Sequence, residues 1–94
     1  MNNSEKKQGP VFTHRRGRLT LAIWENQTEH GTRYSSEITR TWKDGEEYKT
    51  TTRLDERDLL VAARIVTIAD DWVSDRRQAE RESATAAAQS DVVA

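Results

Sequence analysis

Residues 18–26 (RLTLAIWEN), 32–42 (TRYSSEITRTW) and 47–54 (EYKTTTRL) decide the fold of this chain. Each is rich in β-branched, aromatic and hydroxyl side chains. Glycine-containing turns separate them, NQTEHG at 26–31 and KDGE at 43–46. Such runs read as strands joined by hairpins, and therefore as an antiparallel meander. VFT at 11–13 adds a short strand or the start of the first one. The expected class is α+β: a curved antiparallel meander of three to four strands, one long C-terminal α-helix, and assembly as a homodimer.

Strand alternation assigns the faces. Leu19, Leu21 and Ile23 share one side and form core; Thr20, Ala22 and Trp24 share the other. In 32–42, Tyr34, Ser36, Ile38, Arg40 and Trp42 form the core side, with Arg40 an anomaly whose stem can lie along apolar surface. In 47–54, Tyr48, Thr50, Thr52 and Leu54 alternate with Glu47, Lys49, Thr51 and Arg53. Threonines of good β propensity but little hydrophobicity suit a half-exposed strand. The non-core faces then collect Thr20, Trp24, Arg33, Ser35, Thr39, Thr41, Lys49, Thr51 and Arg53, with Glu37 the one clear acid near the centre.

The helix starts at Asp55, an N-cap residue, with Glu56 and Asp58 favouring the positive end of the dipole. It is expected to reach about residue 77 or beyond, the polar stretch after Ser74 extending it into solvent or fraying. Leu59, Ala62, Ala63, Val66, Ala69 and Val73 form one apolar stripe; Val61, Ile65, Ile68 and Trp72 form a second beside it. Together they are wider than one sheet contact needs. One stripe covers the sheet. The other, taken as Val61, Ile65, Ile68 and Trp72, is expected to form the dimer interface, because a monomer rarely exposes a large apolar patch.

Composition sets the outer bounds. The 94 residues make one domain. Residues 1–10 (MNNSEKKQGP) are expected to be a disordered tail, 11–78 the domain, and 79–94 a frayed helix end and disordered tail. An ordered part of roughly 70 residues buries a small fraction of its surface and calls for an aid to stability. With no cysteine, disulfides and thiolate zinc sites are excluded, which leaves oligomerisation. His14 and His30 lack matched carboxylates, so no metal and no cofactor is expected. Neither a signal peptide nor a membrane-spanning run is present, and the expectation is a cytoplasmic protein without a membrane partner.

Net charge is −1 but unevenly spread. Residues 1–53 hold ten Lys/Arg against seven Asp/Glu, and residues 54–94 hold five against nine. Arg15, Arg16 and Arg18 form the densest basic cluster. Arginine forks suit phosphate oxygens; a solvated loop that blunts a sheet edge has the same composition. Trp24, outward-facing near basic residues, is a candidate platform for stacking bases, whereas a lone outward tryptophan also occurs on ordinary surfaces.

VFTHRRGRLTL (11–21), TRYSSEITRTW followed by KDG (32–45) and TRLDERDL (52–59) are collinear with, and resemble, the positive-cofactor-four family of single-strand DNA-binding proteins and its small bacterial relatives, over about residues 11–73. The family's basic, glycine-containing third strand corresponds here to residues 48–53, which have fewer charges and no glycine. The AIWEN…GTRY pattern also resembles a group of short bacterial proteins. The resemblance implies a homodimer that binds single-stranded DNA, or RNA, through cations and an aromatic ring. Arg15, Arg16, Arg18, Trp24, Arg33, Lys49 and Arg53 are the residues expected to carry it. A structural or protein-interaction dimer is the alternative, motivated by the acidic helix half and an open sheet edge. Catalysis is not expected: Asp70, Asp71 and Asp75 do not face one way, and no nucleophile pattern or phosphate loop is present.

Overall fold

The computed structural model describes residues 9–93, with side chains described as far as residue 86. Four strands, β1 (Phe12–Arg16), β2 (Leu19–Thr28), β3 (Gly31–Asp44) and β4 (Glu47–Thr51), form an antiparallel sheet in the order β1-β2-β3-β4. A 3₁₀ turn, Glu56–Asp58, leads into α1 (Leu59–Val93). The α+β class and the meander-then-helix order follow the sequence expectation. The expected tail at residues 1–8 lies outside the described residues.

The hairpins are tighter than the sequence suggested. Arg16 pairs with Leu19, Thr28 with Gly31, and Asp44 with Glu47, so each loop is two residues long. Gly17 and Gly45 sit within loops at φ 61° and 68°. Glycine takes such angles without a Cβ penalty, as the primed turns of these two hairpins require, whereas the Glu29–His30 loop has no positive φ and is followed by Gly31 at φ 106°. The turn expected across 26–31 therefore shrinks to Glu29 and His30, and β2 and β3 run on almost to its tip.

Leu19, Leu21 and Ile23 are each 1% exposed and meet Ala62, Ile65 and Ala69 of the helix, with Ile65 fully buried. The spacing 62, 65, 69 is the helical repeat that holds one face against a flat partner. Phe12, Tyr34, Ile38, Leu54, Val61, Trp72 and Val73 pack around this centre. Trp72 closes one end: its ring stacks on Phe12 with centroids 5.4 Å apart and meets Tyr34 edge-on at 5.6 Å.

The dimer stripe needs correcting. Ile65 and Trp72, expected to face a second copy, are committed to the core of their own chain. The docking seam runs between the two stripes rather than along either. Side chains left exposed on the helix include Leu59, Leu60 and Val66. The helix also continues through residues 79–93, expected as frayed end and tail. That stretch is alanine-rich and contains neither glycine nor proline, so nothing in it stops a helix.

One polar hub ties the elements together. Asp58 is 5% exposed. Arg18 of the β1–β2 turn grips it with both arms, Nε to Oδ1 at 3.0 Å and Nη2 to Oδ2 at 3.3 Å. Arg40 of β3 lies 3.6 Å from Oδ2. The Asp58 carboxylate accepts the Asp55 backbone N–H at 3.0 Å and the Asp55 side chain accepts from the Asp58 backbone, a reciprocal capping box; the Asp55 side chain also accepts the Glu56 N–H at 2.8 Å. The anomaly at Arg40 is thereby resolved: its guanidinium spans Asp58, the Arg53 carbonyl at 3.1 Å and the Trp42 ring at 4.9 Å.

Candidate nucleic-acid interface

The register divides the sheet into two faces of different character. Directly opposite residues share a side. The helix side carries Phe12, His14 and Arg16; Leu19, Leu21 and Ile23; Tyr34, Ile38, Arg40 and Trp42; and, across from Trp42, Lys49. The open side carries Arg15 opposite Thr20, which in turn faces Thr39. It also carries Trp24 opposite Ser35, Arg33 opposite Asn26, Thr41 opposite Thr50 and Lys43 opposite Tyr48.

The seven residues expected to bind nucleic acid are thus distributed over both sides. Arg15, Trp24 and Arg33 share the open face. Arg16 points to the helix side, across from Leu19. Arg18 is engaged by Asp58 and by Asp55, 3.5 Å away. Lys49 is 3.3 Å from Asp44 on the helix side. Arg53 lies beyond the end of β4, exposed, with its carbonyl taken by Arg40. The alternation read within 47–54 holds only over Glu47–Thr51, after which Leu54 turns onto the core, and the two-residue hairpin joins Lys49 to the Trp42 side and Tyr48 to the open side. Tyr48 and Lys43 are candidate residues of the open face that the sequence expectation did not include. The signal was the KDGEE hairpin, whose register couples Lys43 to Tyr48.

Charge pairing follows this division except at Arg16, which lies on the helix side with no carboxylate within 4.0 Å among the described residues. On or near the helix side, Arg18 and Arg40 meet Asp58, Arg76 meets Glu25 at 3.0 Å, and Arg77 meets Glu80 at 3.5 Å. On the open face, Arg15, Arg33 and Lys43 have no carboxylate within 4.0 Å among the described residues. Arg15 is instead steadied by its own turn, donating from Nε to the Gly17 carbonyl at 3.2 Å. Lys43 sits over the Tyr48 ring, 5.8 Å from the centroid. Glu37, opposite Ala22, is the lone carboxylate of this face within the strands. The open side therefore offers three unneutralised cations, a half-buried tryptophan, an exposed tyrosine and a field of threonine and serine hydroxyls.

Shifted titrations lie on the helix side. The hydrogen bond from Arg18 holds the Asp58 carboxyl below its ordinary value, against the opposing effect of burial. The hydrogen bond from Arg57 does the same for Asp55. Burial, then the hydrogen bond to Glu80, pushes the Tyr34 phenol up. Among the described residues no group of three or more His, Cys, Asp or Glu could hold a metal ion. No helix among them is long and apolar enough to cross a membrane.

A groove of about 720 Å³ opens between α1 and β3, lined chiefly by Leu21, Ile23, Ile38, Val66, Ala69 and Val73. It exists because α1 packs over β1 and β2 and leaves the β3 side of the inner face partly uncovered. The groove is mainly apolar, with Ser36, Thr52 and Asp70 among its lining, and opens on the helix side of the sheet.

Comparison of the chain with family models, with curated proteins and with solved structures finds no match.

Proposed function

We propose that this chain is a homodimeric, cytoplasmic single-strand nucleic-acid-binding protein, with single-stranded DNA the ligand it suits first and little preference for sequence. The observation that carries the reading is the sorting of charge. Arg18, Arg40 and Arg76 beside the helix are matched with carboxylates, whereas Arg15, Arg33 and Lys43 are left unmatched on one open face around Trp24. Unmatched cations gain most from a polyanion, and an indole presents a ring on which any base can stack. The resemblance of residues 11–73 to the positive-cofactor-four family supports the same reading.

Labelled oligo-dT titrated at low salt, followed by anisotropy, tests it. The parent chain is expected to bind, with affinity falling steeply as salt rises. Trp24→Ala combined with Arg15→Ala and Arg33→Ala is expected to weaken binding by at least about tenfold, since one stacked base alone is worth roughly 1–3 kcal/mol. No binding at tens of micromolar protein overturns the reading, as does a triple variant that binds like the parent.

The groove between α1 and β3 supports the homodimer. Its apolar lining on both helix and strand needs a cover, and a second copy presents the same complementary pair. Val66 is half exposed at its rim. Light scattering is expected to give twice the chain mass, and Val66→Asp to give the single mass with helical circular dichroism retained. A parent chain that is monomeric at micromolar concentration contradicts this assembly.

A further inference from the structure

We infer that the β3–β4 hairpin carries a second stacking platform, Tyr48 with Lys43, and that one nucleic-acid strand runs diagonally across the open face from Trp24 to Tyr48; this rests on the proposed binding function. Tyr48 is 72% exposed, unusual for a large aromatic side chain with no core role. It does not point at random. Its partner across the hairpin is Lys43, whose ammonium lies 5.8 Å from the ring centroid. A ring for a base thus stands beside a cation for the adjoining phosphate, the combination that single-strand binders use.

Position ties this pair to the first ring. Trp24 is level with Ser35 of β3, and Tyr48 is level with Lys43. Eight residues of strand at about 3.4 Å each separate the two levels by about 27 Å. Two strand spacings of about 4.8 Å add about 10 Å across the sheet. The rings are therefore rooted up to about 29 Å apart, or roughly nine nucleotides of a stacked strand and fewer of an extended one. That lies within the roughly 4–16 nucleotides that comparable single-strand sites occupy. Arg15 is level with Thr39 at mid-height of this diagonal but on β1, two strand spacings or about 10 Å to one side of it, and Thr41 and Thr50 offer hydroxyls next to the hairpin. Arg33 lies just beyond Trp24 at the other end. Cations therefore stand at both ends of the path, with Arg15 flanking its middle.

Oligonucleotide length tests the path. Affinities for dT4 and dT15 are measured by anisotropy for the parent, Tyr48→Ala, Tyr48→Phe, Lys43→Gln and Trp24→Ala. Tyr48→Ala is expected to weaken dT15 about tenfold, as loss of one stacked base does, but dT4 about twofold or less. Tyr48→Phe keeps the ring and is expected to bind dT15 as the parent does, which separates stacking from a loss of fold. Lys43→Gln is expected to lower the slope of log affinity against log salt by about 0.7 on dT15. If Tyr48→Ala binds dT15 like the parent while Trp24→Ala is weakened, the second platform is overturned and the binding function stands. Equal losses on dT4 and dT15 overturn the diagonal path. A parent chain that binds neither oligonucleotide overturns both.

Discussion

Ile65→Ala is expected to lower stability by about 2–5 kcal/mol, enough to unfold most molecules of a domain this small at ambient temperature. Ile65 is fully buried at the centre of the helix-to-sheet contact, against Leu19, Leu21 and Ile23. Truncating it removes three carbons' worth of apolar burial and leaves a hole that rigid strand neighbours cannot close. Leu60, 83% exposed five residues earlier, is the control. Leu60→Ala is expected to change stability by no more than about 0.5 kcal/mol. Urea melts followed by circular dichroism report both. If Ile65→Ala costs no more than Leu60→Ala, the helix does not dock as described.

Asp58→Asn is the second large effect. The substitution keeps the volume but removes the charge that Arg18 and Arg40 share, leaving two guanidinium groups facing each other across the hub. It also weakens the cap, because a neutral amide must replace the carboxylate that accepts the Asp55 N–H. The melting temperature is expected to fall by on the order of 10 °C. The same group makes stability depend on acid. Folding holds Asp58 and Asp55 ionised below their ordinary value of 3.8, so as pH falls the unfolded chain takes up protons first. Their contribution is complete above about pH 4, declines below it, and is gone once pH is beneath the folded-state values. In Asp58→Asn that decline should be shallower. An equally steep decline in parent and variant would assign the acid sensitivity to other carboxylates.

Much of the fold was legible because a strand's period of two is written directly in the residues. Leu19, Leu21 and Ile23 alternate with Thr20, Ala22 and Trp24, and no other regular structure uses that spacing. Relations between elements were harder to read. The side on which Tyr48 emerges depends on whether the loop after Trp42 holds an even or an odd number of residues, and composition allows both. Two residues put the apolar-looking Tyr48 outside and Lys49 inside, where Asp44 neutralises it. For the helix, periodicity revealed a broad apolar arc but not the line along which the sheet touches it. That line is set by how the sheet's twist meets the helix axis, and it took Ile65 and Trp72 from the surface and left Val66 there. Asp58 looked like one of several acids in a first turn. Its weight comes from Arg18, forty positions earlier, which no local pattern connects to it.

Strand order along the sheet repeats strand order along the chain, and this has a consequence for how the molecule loosens. β4 is tied to the sheet along one edge only, and α1 lies over β1 and β2 at the other side. Detaching β4 breaks one short ladder and disturbs none of the buried centre, whereas detaching β2 dismantles everything. Backbone opening is therefore graded across the sheet, lowest in free-energy cost at the β3–β4 hairpin and approaching the global value at β2. The two aromatic rings of the open face stand at opposite ends of that gradient: Trp24 on the most protected strand, Tyr48 on the least. A strand of nucleic acid reaching Tyr48 would stiffen the part of the protein that is most readily undone.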